Sequence, residues 1–266
     1  MLLRSLGSGV SGLKNFQTSL DVIGNNISNV STTGYKKARV NFEDLFSNNV
    51  QSAKTDQNAI QVGLGAQAGS IDNIITNGVA NPTGNPYDVA INGEGYFQVT
   101  NGGNTYYTRA GDFKLSSDGE SLVNAQGYTL SLDFTARGTV DGHPATFNDV
   151  SAFTINNQGV ILGTPKSNSE TSVNLGRIQA YTFNNPAGLE KVGNSLYQTS
   201  QASGAANGNR DTNGQGDFVQ NALEGSNVDL TDEMTALIEA QRAYQANART
   251  ITTADQILQE LVQLKR

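Results

Sequence analysis

Cysteine and tryptophan are absent from this chain of 266 residues, and histidine occurs once, at His143. Without cysteine there is no thiol chemistry and no disulfide framework, and a single histidine argues against a histidine-based metal centre. Charge is scarce as well. Charged residues make up 15% of the chain, the formal net charge is −7, and Lys and Arg form no cluster, so neither nucleic acid nor an anionic membrane has electrostatic support as a partner. Long apolar runs are also missing. No stretch reaches the roughly 18 apolar residues of a membrane span. In the opening MLLRSLGSGVSGLKNF, Arg4, Gly7, Ser8 and Ser11 interrupt the run that a cleaved signal peptide needs. A cysteine-free chain rich in Asn, Gly, Ser and Thr nonetheless suits the outside of a cell, which leaves export without a cleaved signal open.

What the chain does have is amphipathic sequence at both ends. Stepping by four and three from Leu230 reaches Met234, Leu237, Gln241, Tyr244, Ala248, Ile251, Asp255, Leu258 and Val262, a heptad seam with two polar interruptions. Ala254, Ile257, Leu261 and Leu264 widen the stripe towards its end. Asn227 or Asp229 serves as N-cap, with Asp232 and Glu233 in the first turn and Lys265-Arg266 in the last, charges that oppose the helix dipole at both ends. At the N-terminus Leu3, Leu6, Val10, Leu13, Phe16, Leu20, Ile23, Ile27 and Val30 recur at the same spacings. Such helices either pair within one chain or pack between copies. Ser31-Thr-Thr-Gly34 then breaks the first helix, with Gly34 supplying a positive φ.

Between the helices the chain is glycine-rich and strand-like. DVAI, YFQV, TYYTR, DFKL, SLVN and YTLSL are short strands punctuated by turns such as Asn92-Gly93-Glu94-Gly95 and Asn101-Gly102-Gly103-Asn104, the pattern of an antiparallel sheet. The expected architecture is α+β: terminal helices at 1–40 and 226–266 forming a coiled-coil-like base, an extended connection over 41–80, a β-rich body over 81–200, and a flexible polar return over 201–225.

Three motifs resemble chemistry and fail their context. Gly7-Ser-Gly9-Val-Ser-Gly12 fits GxGxxG but lies inside a helix with no strand before it, so its glycines read as points of close helix approach rather than a nucleotide site. Asp211-Thr-Asn213-Gly-Gln215-Gly216 opens like a calcium loop, yet its twelfth position is Ala222 instead of Glu. His143, in Asp141-Gly142-His143-Pro144, has no nucleophile or orienting group beside it. Tyr96, Tyr106 and Tyr107 read as core or cross-strand pairs. No catalytic, cofactor or metal site is expected.

LDVIGNNISNVSTTGYKKARVNFEDLF, residues 20–46, closely resembles the N-terminal signature of the bacterial flagellar axial proteins, the rod and hook subunits. NVDLTDEMTALIEAQRAYQANARTITTADQILQELVQLKR resembles the matching C-terminal signature, and DVAINGEGYFQV, YTRAGDFKL and LGRIQAYTFNNPAGLEKVGNSLY resemble the family's body. Residues 132–154, where larger hook subunits carry an outward insertion, match less well and are short. The resemblance implies a structural subunit that polymerises with identical copies into a helical tube. It further implies contact with other rod, hook and junction proteins, and passage through the flagellar export apparatus without a cleaved signal peptide to the hook or basal body. The C-terminal stretch looks more like hook subunits, with the distal rod as the alternative. The residues expected to carry self-assembly are Leu6, Val10, Leu13, Leu20, Ile27, Met234, Leu237, Tyr244, Ile251, Leu258 and Val262. Rival readings are a surface-binding β-module on an oligomerisation stalk, and an enzyme, for which no constellation is nameable.

Overall fold

The computed structural model describes residues 2–51, 60–140, 142–166, 172–208 and 216–264. The described residues are mixed helix and strand, with two long helices and a strand-rich body, and the chain divides into two compact units. The first unit takes in Met1–Asn29, Lys37–Ile74 and Val228–Arg266, and the second Val30–Lys36 and Ile75–Asn227.

In the first unit, α1 spans Leu2–Ser28 and α2 spans Leu230–Leu264. The α2 helix starts where its cap dictates: Asp229 Oδ1 accepts from the N–H groups of Thr231 (2.8 Å) and Asp232 (3.4 Å), and Asp232 and Glu233 fill the acidic first turn. Its 35 residues make it about 52 Å long at 1.5 Å per residue. Strands β1 (Ala38–Asp44) and β4 (Ala66–Asn73) pair antiparallel with a bulge at Asn41/Phe42, and β2 (Asn48–Gln51) and β3 (Ile60–Val62) form a second antiparallel pair. Residues 41–80 were expected to be an extended connection, and they carry these two pairs instead. The sequence suggests one short strand here, at Ser70–Ile75, which β4 overlaps; AQAGSIDN lacks clear apolar alternation, so its full extent shows only in its pairing with β1.

The second unit is built on two larger sheets. Strands Tyr96–Asn101 and Asn104–Thr108 form the central hairpin of an eight-stranded antiparallel sheet, and Val150–Ile155, Val160–Pro165 and Val173–Ile178 form most of a four-stranded one. Alternation along Val160–Pro165 is complete, so every second side chain faces the core. That core holds Val89, Ile91, Phe97, Val99, Phe113, Leu122, Ile161, Leu175 and Phe218 among others. A second cluster joins Tyr96, Tyr107, Phe183, Leu189 and Tyr197, with Tyr107 and Phe183 edge to face at 4.9 Å. Tyr106 instead stacks on Tyr128. Val89–Asn92 and Tyr96–Asn101, adjacent in sequence, do not pair with each other. Val89–Asn92 takes Asp217–Gln220 as its partner, and Ala80–Pro82 takes Ala222–Glu224, so the stretch read as a flexible return ends in two ordered strands. His143 sits exposed in a short hairpin opposite Val140.

Three of the charges buried in this unit meet at one point. Glu224 accepts from Lys36 Nζ (2.6 Å) and Arg109 Nη1 (3.2 Å), while Lys36 also donates to the Thr76 carbonyl and Arg109 to that of Gly93. One carboxylate thus faces two cations, and backbone carbonyls absorb the excess. Burial holds the Lys36 ammonium below the ordinary lysine value, against the opposing pull of Glu224. Gly34 has φ +66°, and a Cβ there would come within 2.6 Å of the Arg109 carbonyl carbon, so both conformation and space call for glycine.

The aromatic cluster carries a pH signature. Burial pushes the Tyr96 phenol up to about 12 and raises Tyr197, Tyr107 and Tyr181 as well. An unfolded tyrosine loses its proton near 10, so between about 10 and 12 the folded state binds more protons and stability falls as pH rises. Urea unfolding followed by circular dichroism at pH 9, 10 and 11 should show a constant midpoint to about pH 10 and a decline beyond it, shallower in Tyr96→Phe.

Candidate self-assembly surface

Gly9 and Gly12 decide how α1 meets α2. A Cβ on Gly9 would lie 3.1 Å from Ile251 Cγ1, and one on Gly12 would lie 2.8 Å from Asn247 Nδ2, so both glycines face α2 at contact distance, whereas Gly7 faces open space. With Asn26 bonded to Glu233 at the other end, the helices run antiparallel. The glycine pattern therefore serves close helix packing.

The second tie is polar. Asn26, almost wholly buried, donates to the Ala38 carbonyl (2.9 Å), accepts from the Ala38 N–H (3.0 Å), and donates to Glu233 Oε2 (3.1 Å). One side chain in α1 thus holds both β1 and α2. Glu233 is buried too, with Lys37 Nζ 3.9 Å away. Neither residue was singled out in the sequence, where Asn26 is one of three asparagines in NNISN and Glu233 reads as an ordinary first-turn acid.

The intrachain contact departs from the expected seam. Leu237, Ile251 and Leu258 are half-buried as that row requires, but the companion row runs through Glu233, Ala240, Asn247 and Ala254 instead of Met234, Gln241, Ala248 and Asp255. Of those four, only Ala248 is also half-buried, and the other three are exposed. The helices meet on small residues, which a pattern search weighted towards large apolar side chains passes over. On α1, Leu6, Leu13, Leu20 and Ile27 are half-buried and Val10 is 44% exposed. On α2, Met234 is 50%, Tyr244 38% and Val262 67% exposed. Four of the eleven named positions are therefore open in a single chain, and the other seven are only partly covered.

These are not scattered exceptions. Twelve of the sixteen exposed large apolar side chains among the described residues belong to this unit, Leu230, Ile238, Phe42 and Ile71 among them. Residues 211–215 of the calcium-like stretch, and Lys265-Arg266, lie outside the described residues. Among the described residues no cluster of acidic, histidine or cysteine side chains has metal-binding spacing, and no helix is long and apolar enough to cross a membrane.

Comparison with known proteins gives this surface its context. Residues 6–36 match the flagella basal body rod protein family, residues 90–163 the flagellar hook protein FlgE/F/G D1 domain, and residues 219–264 the C-terminal region of the flagellar basal body rod FlgEFG proteins. The chain is 43% identical to the flagellar basal-body rod protein FlgG of Bacillus subtilis over the whole of both chains. The chain belongs to the flagellar rod and hook protein family. This is a family of structural flagellar proteins. A second rod relative, FlgG of Agrobacterium fabrum, is 38% identical over 96% of this chain and 97% of its own. The flagellar hook protein FlgE of Borreliella burgdorferi is 28% identical, over 99% of this chain and 100% of its own, in an alignment of 443 residues.

These comparisons correct the preference for hook over rod. That preference rested on the C-terminal forty residues, and the matching C-terminal family embraces FlgE, FlgF and FlgG alike, so this stretch does not separate them. Length and identity over the full chain do, and both favour rod.

The Asn26 tie is testable. Asn26→Ala leaves the Ala38 peptide and Glu233 without their side-chain partner and should destabilise the helical unit by about 1–3 kcal/mol. Hydrogen exchange across 2–28 and 230–264 should rise in the variant and stay unchanged across 96–108.

Proposed function

We propose that this chain is a subunit of the flagellar distal rod, polymerising with identical copies into a helical tube through its terminal helices. The observation that carries the reading is similarity to rod proteins over the full length, together with the absence of the extra length of the hook relative. The exposed apolar positions of the helical unit support it physically. A stripe too wide for one partner gains by burial against neighbours, and identical neighbours related by a rotation that does not close produce a filament. Leu6, Val10, Leu13, Leu20, Ile27, Met234, Leu237, Tyr244, Ile251, Leu258 and Val262 carry this assembly, in a coiled-coil-like layer built from helices of several copies. The subunit reaches the basal body through the flagellar export apparatus without a cleaved signal peptide, and it neighbours other rod, hook and junction proteins there. It uses no cofactor and binds neither nucleic acid nor membrane.

Met234 separates assembly from folding because it is half-exposed in the single chain. Met234→Asp should abolish the pelleting of tubes in sedimentation while moving the monomer's stability by no more than about 0.5 kcal/mol. Glu239→Gln, also exposed, should change neither. Normal pelleting of Met234→Asp would remove this face from the interface.

A further inference from the structure

The helical unit presents a groove at one end of its helix pair and an uncovered apolar row at the other. The groove, about 310 Å³, lies among α1, β1 and the first turns of α2. Val22, Ile23, Val40, Ile74 and Ala236 supply its apolar lining, and Lys37, Arg39, Asp232 and Glu233 its charged groups. At the far end the seam row of α2 continues through Leu258 to Val262. Gly9 stands level with Asn247 and Ile251, so residue 258 of α2 is level with about Leu2 of α1. Leu258 is still half-buried, while Val262 is 67% exposed. By helical spacing Asp255 shares this face with Leu258 and Val262, and it is exposed.

We infer that the C-terminal end of α2 in one copy seats in the groove of the next, with Leu258 and Val262 entering between Val22, Ile23 and Ala236 and with Asp255 facing Arg39. The inference rests on the polymer reading above and specifies where successive copies meet. Four observations select a second copy of this chain as the occupant. The uncovered row continues a seam whose inner part is already packed against α1. A cavity of about 150 Å³ accepts one benzene, so the groove has room for about two aliphatic side chains. The negative end of the α2 dipole approaches the positive end of the next copy's α2. Finally, groove and row are different surfaces at opposite ends of one unit, so the contact is head-to-tail and repeats without closing.

The cysteine-free chain makes this directly testable. Some 25 residues of helix, about 38 Å, separate Val262 from the level of Val22 within one chain, far beyond disulfide reach, so a bond between cysteines at these positions joins two copies. Val22→Cys combined with Val262→Cys, oxidised after assembly, should give a ladder of linked multimers on denaturing gels, and each single variant should give no species above a dimer. An independent check uses charge. Arg39→Asp should raise the concentration needed for pelleting about fivefold, and adding Asp255→Arg should restore it to within about twofold. Pelleted tubes without a ladder and without charge rescue would overturn this contact and leave the polymer reading standing. Failure of the unmodified chain to pellet would overturn both.

Discussion

The close antiparallel approach of α1 and α2 is the constraint on which this structure depends. Gly9 and Gly12 on one helix and Ala240, Asn247 and Ala254 on the other let the backbones approach, and Asn26 with Glu233 fixes the register from the opposite end. Packing on small residues has a consequence for the larger ones. Met234, Tyr244, Ile238 and Val262 are left beside the contact instead of in it, so a single chain forms a helix pair and still shows an apolar surface. In the proposed polymer, folding and assembly draw on different rows of the same helix. Burial of that leftover surface there would contribute about 25 cal/mol per Å².

The body solves a different problem. Its core is closed by aliphatic and aromatic side chains, and its charged centre is internally paired, so it folds around contacts that do not depend on another copy. Removing one member of a buried ion pair commonly costs about 3–5 kcal/mol, since the remaining charge stays buried. Lys36, Arg109 and Glu224 come from segments far apart in sequence, and holding them at 2.6–3.2 Å fixes how those segments meet. In the proposed tube, one defined arrangement of the body matters more than the net energy of the triad.

Much of this is legible in the sequence, and most of what is not shares a cause. The two helices, their antiparallel or inter-copy alternatives, the Asp229 cap, the positive φ of Gly34 and the central hairpin all follow from periodicity and turn chemistry, which are local. Of the companion row of α2 only Ala254 is read from the sequence; Glu233, Ala240 and Asn247 contribute little to a hydrophobic pattern, so the pattern places the row one position off. The pairing of Val89–Asn92 with Asp217–Gln220 joins segments more than a hundred residues apart, and the turn between Asn92 and Tyr96 suggested the wrong partner. The buried triad did leave a trace. In a chain with few charges, Arg109 at the end of TYYTR and Glu224 at the end of ALE are lone charges in their strands, and such a charge calls for a partner. The choice between hook and rod failed for another reason: the stretch that seemed diagnostic belongs to the whole family.

The helix pair is only partly covered in one chain, and on the proposed function it completes its cover in the polymer. Hydrogen exchange of α2 in dispersed and assembled protein, read peptide by peptide, measures this directly. The account predicts that protection over 230–264 rises strongly on assembly, most of all around Val262, while protection over 96–108 in the body hairpin does not change. Equal protection of α2 in both states, or a rise confined to the body, would contradict it.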